Sequence, residues 1–122
     1  MFELVIKGDF AAAHHLRNYH GKCENLHGHN YLVEIYVSQK RLNKQGMVID
    51  FNVLKSLLDE VLGEFDHKYL NDLKDFNKLN PTAENIAFVI HREFTRKLPK
   101  PMHLKVCVWE STRTGASYYN VV

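Results

Sequence analysis

Apolar and polar residues alternate along two stretches near the start of the chain. The first covers residues 2–14, and the second runs from His27 to Val37. One face of the first stretch carries a histidine beside apolar residues, in the order Leu4, Ile6, Phe10, Ala12 and His14. Because side chains alternate between the two faces of a strand, this pattern predicts two β-strands that pair as a hairpin with a long loop.

Two later stretches repeat their apolar residues every three or four positions, which is typical of amphipathic helices. The first helix is expected to begin after Asp50, a favourable N-cap, and to end near Gly63. The second is expected to begin after Thr82 and to end at Leu98, just before a proline.

The last part of the chain returns to the strand pattern. Residues 104–110 alternate, and residues 116–122 follow a turn as a short fourth strand. The order ββααββ predicts an α+β fold, with an antiparallel four-stranded sheet and two helices on one face. Such a sheet leaves its other face and both edges uncovered, so we expect copies of the chain to associate.

Composition narrows the function classes. A chain of 122 residues, 45% hydrophobic and 25% charged, predicts a single domain over residues 1–122. The 16 basic and 14 acidic residues are spread out, so nucleic-acid binding is not indicated. Without an apolar leader or a stretch of membrane-spanning length, a cytoplasmic protein is expected. Cys23 and Cys107 are then expected to be free thiols, with Cys107 in the core.

Histidine is the unusual component, because five of the eight lie between positions 14 and 29. His27 and His29 share one face of an extended segment, and His14 shares the apolar face of the preceding strand. Three neutral imidazoles with an open fourth position predict a catalytic zinc site, although other divalent first-row ions also suit them. His15 is the rival third ligand, but the alternation assigns it to the solvent side unless a bulge intervenes.

Two interpretations of Cys23, four residues before His27, remain open at this point. A thiol beside a cationic metal and a histidine is readily deprotonated and can act as a base or nucleophile. The same thiol can instead be a fourth ligand, which would make the zinc site structural.

Several motifs follow one another along nearly the whole chain: Phe10-Ala11-Ala12-Ala13-His14, Cys23-Glu24-Asn25-Leu26-His27-Gly28-His29, Asp66-His67-Lys68-Tyr69-Leu70-Asn71-Asp72, Pro81-Thr82-Ala83-Glu84-Asn85 and Glu110-Ser111-Thr112. In this order they resemble the 6-pyruvoyltetrahydropterin synthase superfamily. The interval Cys-x-x-x-His-Gly-His is similar to that of its 6-carboxytetrahydropterin synthase branch, which serves queuosine biosynthesis. The pyruvoyl-forming enzymes typically have a longer interval.

The resemblance implies the tunnel fold, in which three subunits close a twelve-stranded barrel and two trimers stack into a homohexamer with active sites between subunits. It implies a zinc-dependent lyase that converts 7,8-dihydroneopterin triphosphate to 6-carboxy-5,6,7,8-tetrahydropterin, acetaldehyde and triphosphate. The alternatives are a 6-pyruvoyltetrahydropterin synthase, which releases triphosphate without acetaldehyde, and a non-catalytic zinc- or pterin-binding module.

The resemblance also implies roles for individual residues. The three histidines of the predicted site match the family's zinc ligands. Cys23 matches the catalytic base, and Asp66 and His67 match residues that orient it and shuttle protons.

Substrate contacts follow from the same resemblance. Glu110 matches the carboxylate that anchors the pterin, with Thr82 and Glu84 beside it, although both of these also suit an ordinary helix N-terminus. The triphosphate needs cationic partners, and three are available without the spacing of a phosphate loop: Lys22, Arg17 and Arg113.

Overall fold

The structure is a computed structural model that describes residues 1–21 and 25–121. Its elements are β1 (Phe2–His14), β2 (His27–Gln39), α1 (Phe51–Gly63), β3 (Lys68–Tyr69), α2 (Ala83–Lys97), β4 (His103–Trp109) and β5 (Gly115–Tyr119). The α+β class and the ββααββ order of the long elements are confirmed.

The sheet differs from the prediction in having five strands, in the order β3-β1-β2-β4-β5. The four long strands pair antiparallel, whereas β3 pairs in parallel with Ala12 and Ala13 of β1. A strand of two residues has no detectable alternation, so the sequence did not reveal it. The last strand ends at Tyr119 instead of residue 122, and Asn120 accepts a local hydrogen bond from the Tyr118 hydroxyl at 3.1 Å.

The pairing of β1 with β2 brings the histidines together. His14 lies opposite His27, and Ala12 lies opposite His29. Directly opposed residues of an antiparallel pair point to the same face. The three imidazoles therefore share one end of the face that also carries the buried Phe10 and Tyr31.

The helices cover this face, and both predicted caps are present. Asp50 accepts a hydrogen bond from the N–H of Asn52 at 2.8 Å, and Thr82 accepts one from the N–H of Asn85 at 3.2 Å. The core between the helices and the sheet contains fully buried side chains from each of these elements, among them Phe10, Val33, Ile35, Leu54, Leu58, Ile86, Ile90 and Val106.

The opposite face of the sheet has no helix on it in the described part of the chain. It exposes apolar surface at Val5, Leu32 and Tyr119, whose exposed fractions are 45%, 38% and 50%. Cys107 points to this face but is itself 8% exposed, so its predicted burial is confirmed. Within the residues described, neither helix has the length and apolar character needed to cross a membrane.

Candidate metal centre and active site

Three histidine rings meet where β1 ends and β2 begins. The ring centroids of His14 and His27 are 4.5 Å apart, those of His27 and His29 4.7 Å, and those of His14 and His29 5.2 Å. One donor atom from each of them and from Glu110 lies within 4.8 Å of all the others. The three predicted histidines therefore lie together, and the carboxylate of Glu110 lies beside them.

Hydrogen bonds to backbone carbonyls determine which nitrogen each ring can offer. Nδ1 of His14 lies 2.7 Å from the carbonyl oxygen of Pro81, and Nδ1 of His27 lies 2.7 Å from that of Asn25. A carbonyl oxygen only accepts, so both Nδ1 atoms carry the hydrogen and both Nε2 atoms keep a lone pair when the rings are neutral. Such a second bond is the usual support of a metal-binding imidazole.

The two lone pairs face each other. Nε2 of His14 and Nε2 of His27 are 3.0 Å apart. Two neutral acceptors at this distance repel unless a proton or a cation lies close to both. The donor set therefore fits a divalent metal ion, which satisfies both nitrogens without protonating either ring.

His29 gives independent evidence that this site suits a metal ion. Its Nε2 is buried and makes no hydrogen bond of acceptable geometry with any described residue, although Oε1 of Glu110 lies 3.0 Å away. A buried polar atom without a partner is costly, and the explanations for one include strain, a catalytic role, and a bound water or ion. This atom points into the same cluster.

Burial favours the neutral form of the His14 and His29 rings. His14 is completely buried, and desolvation lowers its pKa although its hydrogen bond to the Pro81 carbonyl acts in the opposite direction. Desolvation likewise lowers the pKa of His29, against the opposing effect of the Glu110 carboxylate. Neutral imidazole is the form that binds metals, so the site is ready to coordinate at neutral pH.

Glu110 follows the last residue of β4 and lies closer to the histidines than its sequence-based role implied. Oε1 is 3.0 Å from Nε2 of His29 and 3.5 Å from Nε2 of His14. In this position the carboxylate would balance the charge of a cation held by the histidines. Its alternation with Val106 and Val108 was the signal for this placement, because all three share the helix-covered face of the sheet.

His15 and Arg17 make contacts that hold the segment after β1 in place. His15 bonds through its ring to the Tyr69 hydroxyl, outside the histidine cluster. The guanidinium of Arg17 donates to the carbonyls of Phe76 at 2.6 Å and Leu79 at 3.2 Å, so this cation is already engaged by the neighbouring loop. Arg113, the third candidate for the triphosphate, lies in an exposed turn.

Two asparagines that the sequence analysis did not single out hold the same segment. Asn71 accepts from the His15 N–H at 3.0 Å and donates to the His15 carbonyl at 3.1 Å. Asn80 accepts from the Arg17 N–H at 2.8 Å and donates to the Arg17 carbonyl at 3.1 Å. Each side-chain amide therefore bonds to both the backbone N–H and the backbone carbonyl of one residue, as a neighbouring strand would. Asn71 belonged to a family motif, but nothing in its spacing indicated this contact.

Asp66 and His67 form a second polar group, just before β3. Oδ1 of Asp66 accepts from the Ala11 N–H at 2.9 Å, and Oδ2 lies 3.0 Å from Nδ1 of His67. The Ala11 bond is the main cause of the lowered pKa of Asp66, with further contributions from His67. Asp66 is therefore ionised, and it favours the tautomer of His67 that carries its hydrogen on Nδ1.

An open cleft joins this pair to the histidine site. It is lined by Ala11–Ala13 of β1, Gly28–Asn30 of β2 and His67–Tyr69. The His67 side chain is 83% exposed, and its backbone has a positive φ of 58°. The ring therefore faces solvent at the rim of a groove that reaches His29.

The remaining predicted residues lie at the loop after β1 and at the start of α2. Cys23 and Lys22 fall outside the described residues. Thr82 caps α2 through its side chain, and Glu84 is exposed in the first turn. The residue before this cap, Pro81, supplies the carbonyl that orients His14, so the start of α2 supports the metal centre directly.

Comparison with known proteins yields one family. The model of the family described as 6-pyruvoyl tetrahydropterin synthase matches residues 3–121. The chain is 38% identical over 116 residues to the 6-carboxy-5,6,7,8-tetrahydropterin synthase of Synechocystis sp., covering 91% of this chain and 88% of that one. It is 36% identical over 113 residues to the dihydroneopterin monophosphate aldolase of Pyrococcus furiosus, covering 92% of each. The solved 6-pyruvoyl tetrahydropterin synthase of Caenorhabditis elegans superimposes with a TM-score of 0.90 at 27% identity, over 98% of this chain and 96% of that chain.

Proposed function

The chain belongs to the 6-pyruvoyl tetrahydropterin synthase family, and on that premise we propose that the protein is a 6-carboxy-5,6,7,8-tetrahydropterin synthase of queuosine biosynthesis. It would convert 7,8-dihydroneopterin triphosphate to the 6-carboxy product, acetaldehyde and triphosphate. The observation that carries the proposal is the convergence of three imidazoles: Nδ1 of His14 and Nδ1 of His27 are bonded to backbone carbonyls, and Nε2 of His29 is buried without a hydrogen bond among the described residues. Relatives named for this activity, similar along most of the chain, select the branch.

The metal in this proposal is zinc, held by His14, His27 and His29. Three neutral imidazoles suit zinc, as they suit other divalent first-row ions, and they leave a position open for substrate. A bound zinc ion supplies Lewis acidity toward the hydroxyl groups of the substrate side chain. The short bond from His14 to the Pro81 carbonyl supports this assignment, because it fixes the ring with Nε2 toward the site.

Proton transfer is assigned to Cys23 together with Asp66 and His67. In this scheme the Cys23 thiolate removes a proton from the substrate side chain, and His67 exchanges protons through Nε2. The ion pair supports the second role, because Asp66 binds the Nδ1–H of His67 and leaves the other ring nitrogen exposed toward the cleft.

Glu110 is assigned to the pterin ring, with Thr82 and Glu84 beside it. A carboxylate can accept two parallel N–H bonds from the guanidine-like edge of a pterin. The position of Glu110 next to the imidazoles supports this role, because an anchor there holds the reacting side chain close to the metal.

We assign the active form to a homo-oligomer, a trimer or hexamer with sites between subunits, built from copies in which residues 1–122 form one domain. The uncovered sheet face and the open cleft beside His29 support this. A second chain lying along the cleft would enclose the substrate, which a single chain leaves open to water.

A second candidate is an aldolase that acts on a dihydroneopterin phosphate. It is favoured by the relative from Pyrococcus furiosus, which carries that name and matches over almost its entire length. Such a reaction would cleave the side chain between its first two carbons and release a two-carbon aldehyde that retains the phosphate. The products of the two reactions are therefore different compounds.

The test is to incubate the zinc-loaded protein separately with 7,8-dihydroneopterin triphosphate and with 7,8-dihydroneopterin monophosphate, and to identify all products by mass spectrometry. Acetaldehyde with a carboxylated tetrahydropterin supports the proposal. A hydroxymethyl pterin supports the aldolase, triphosphate release without an aldehyde supports the pyruvoyl-type reaction, and no turnover supports a binding module. Replacement of Cys23 by Ala should abolish turnover with zinc retained, and loss of zinc would instead make Cys23 a structural ligand.

A further inference from the structure

The only tryptophan of the sequence is fixed on the face of the sheet opposite the histidines. Trp109 is the last residue of β4, and its indole N–H donates a hydrogen bond to Oε1 of Glu34 on β2. Neighbouring Glu110 points to the other face and meets the imidazoles. The two carboxylates, Glu34 and Glu110, therefore lie on opposite faces of the sheet.

The indole is also confined by the strand next to it. A Cβ atom at Gly115 would lie 2.7 Å from Cε3 and 2.8 Å from Cδ2 of Trp109, so the ring lies directly on the β5 backbone. Glu34 has a side chain only 13% exposed, and its second oxygen accepts from the Tyr36 hydroxyl at 3.1 Å. The acceptor for the indole is thus itself held in place.

The turn after Trp109 restrains the backbone of Glu110 as well. The N–H of Glu110 donates to the Thr114 carbonyl at 3.0 Å, and Ser111 Oγ accepts from the N–H of Thr114 at 3.1 Å. Trp109 and Gly115 pair across the two strands that this turn joins. With the turn closed and the indole clamped, the backbone at Glu110 has little freedom to move away from His29.

From these contacts we infer that Glu34 is a positioning residue for the active site. It holds Trp109, and through Trp109 it holds the Glu110 carboxylate beside the histidines. Glu34 itself touches neither the histidines nor the cleft that leads to them. Its influence on the site therefore passes through the indole, and removal of either partner should have the same consequence.

The test compares Glu34→Ala, Trp109→Phe and the double variant with Glu110→Gln, which shows the full effect of losing the carboxylate. Co²⁺ is titrated into the metal-free proteins and followed by its visible absorption. The Michaelis constant for 7,8-dihydroneopterin triphosphate is measured with the zinc-loaded proteins. We expect each single variant to weaken Co²⁺ binding and raise KM by about tenfold, the worth of one hydrogen bond to a charged group. The double variant should be no worse than either, because the two residues act as one unit.

Two control variants separate positioning from general damage to the sheet. Glu34→Gln keeps an oxygen that accepts the indole N–H and should leave both constants within about twofold of the wild type, because the bond that holds Trp109 is retained. Tyr36→Phe removes the other hydrogen bond of Glu34 and leaves Trp109 bound, so it should behave like the wild type. Trp109 fluorescence should shift in Glu34→Ala and remain unchanged in Tyr36→Phe.

The inference is wrong if Glu34→Ala binds Co²⁺ and substrate as the wild type does, if the effects of Glu34→Ala and Trp109→Phe add, or if Tyr36→Phe matches Glu34→Ala. The kinetic part rests on the proposed function. If the wild type forms no acetaldehyde, the proposed function fails and the Co²⁺ affinities alone decide the inference. Should Glu34→Ala fail to fold, Trp109→Phe and Glu34→Gln still give opposite expected results.

Discussion

Loading the histidine site with zinc should raise the thermal stability of the protein substantially. In the metal-free protein, the lone pairs of His14 and His27 face each other at 3.0 Å, and the buried Nε2 of His29 has no hydrogen bond among the described residues. Zinc bound by these histidines would satisfy all three atoms in the folded chain. The unfolded chain offers no preformed site, so the binding free energy adds to the free energy of unfolding.

The size of the effect follows from mass action. At a free zinc concentration about 100 times the dissociation constant, the stabilisation is about 2.7 kcal/mol. For a domain of 122 residues, each kcal/mol corresponds to about 3–5 °C in the midpoint of thermal unfolding. We therefore expect a rise of about 8–14 °C, measured by circular dichroism before and after metal removal with a chelator.

A matched pair of variants shows whether the stabilisation comes from this site. His29→Ala should lose most of the zinc-dependent rise, whereas His103→Ala, which changes an exposed histidine outside the cluster, should keep it. Burial lowers the pKa of both His14 and His29, so the rise should persist somewhat below pH 6.5 and disappear as the rings protonate at lower pH. An equal rise in the wild type and in His29→Ala would refute the reasoning, because the metal would then bind elsewhere.

Three further predictions concern other parts of the chain. Asp66→Asn should keep the bond to the Ala11 N–H but lose the charge that holds His67, so steady-state assays should show kcat reduced by at least about tenfold with zinc content unchanged. Burial lowers the pKa of His91, so the unfolded state takes up the proton first; urea unfolding should show stability falling as the pH drops below 6.5, and His91→Gln should reduce this slope. Gly115→Ala should destabilise the protein by about 1–3 kcal/mol in the same urea assay and shift the Trp109 emission, because the added Cβ meets the indole.

Local patterns were sufficient to predict the long elements and the meeting of the histidines. Alternation assigned His14 to the covered face and His15 to the other, and the structure buries the first while bonding the second to Tyr69. The spacing of His27 and His29 required only that their segment be extended. These predictions depend on the two-residue period of a strand, which is a property of the chain itself.

Contacts between distant segments could not be predicted in this way. The carbonyl of Pro81 reaches His14 only because α2 packs on the sheet, and Glu110 reaches His29 only through the pairing of β2 with β4. Glu110 was expected to bind substrate, but its distance from the imidazoles depends on the register of β4 against β2. The role of Asn71 in holding the chain after β1 likewise depends on packing alone.

Contacts from other segments also explain how the three imidazoles and Glu110 are held in position. His27 and His29 precede Leu32, where the pairing of β2 with β4 begins, and Glu110 follows the last residue of β4. Additional contacts hold the donors in this region: the Pro81 carbonyl for His14, the Asn25 carbonyl for His27, and the Trp109 clamp beside Glu110. Because each support acts on a different donor, a variant that loses one should distort the site without dismantling it. Metal affinity should therefore decline in steps as supports are removed, whereas loss of an imidazole should abolish the site at once.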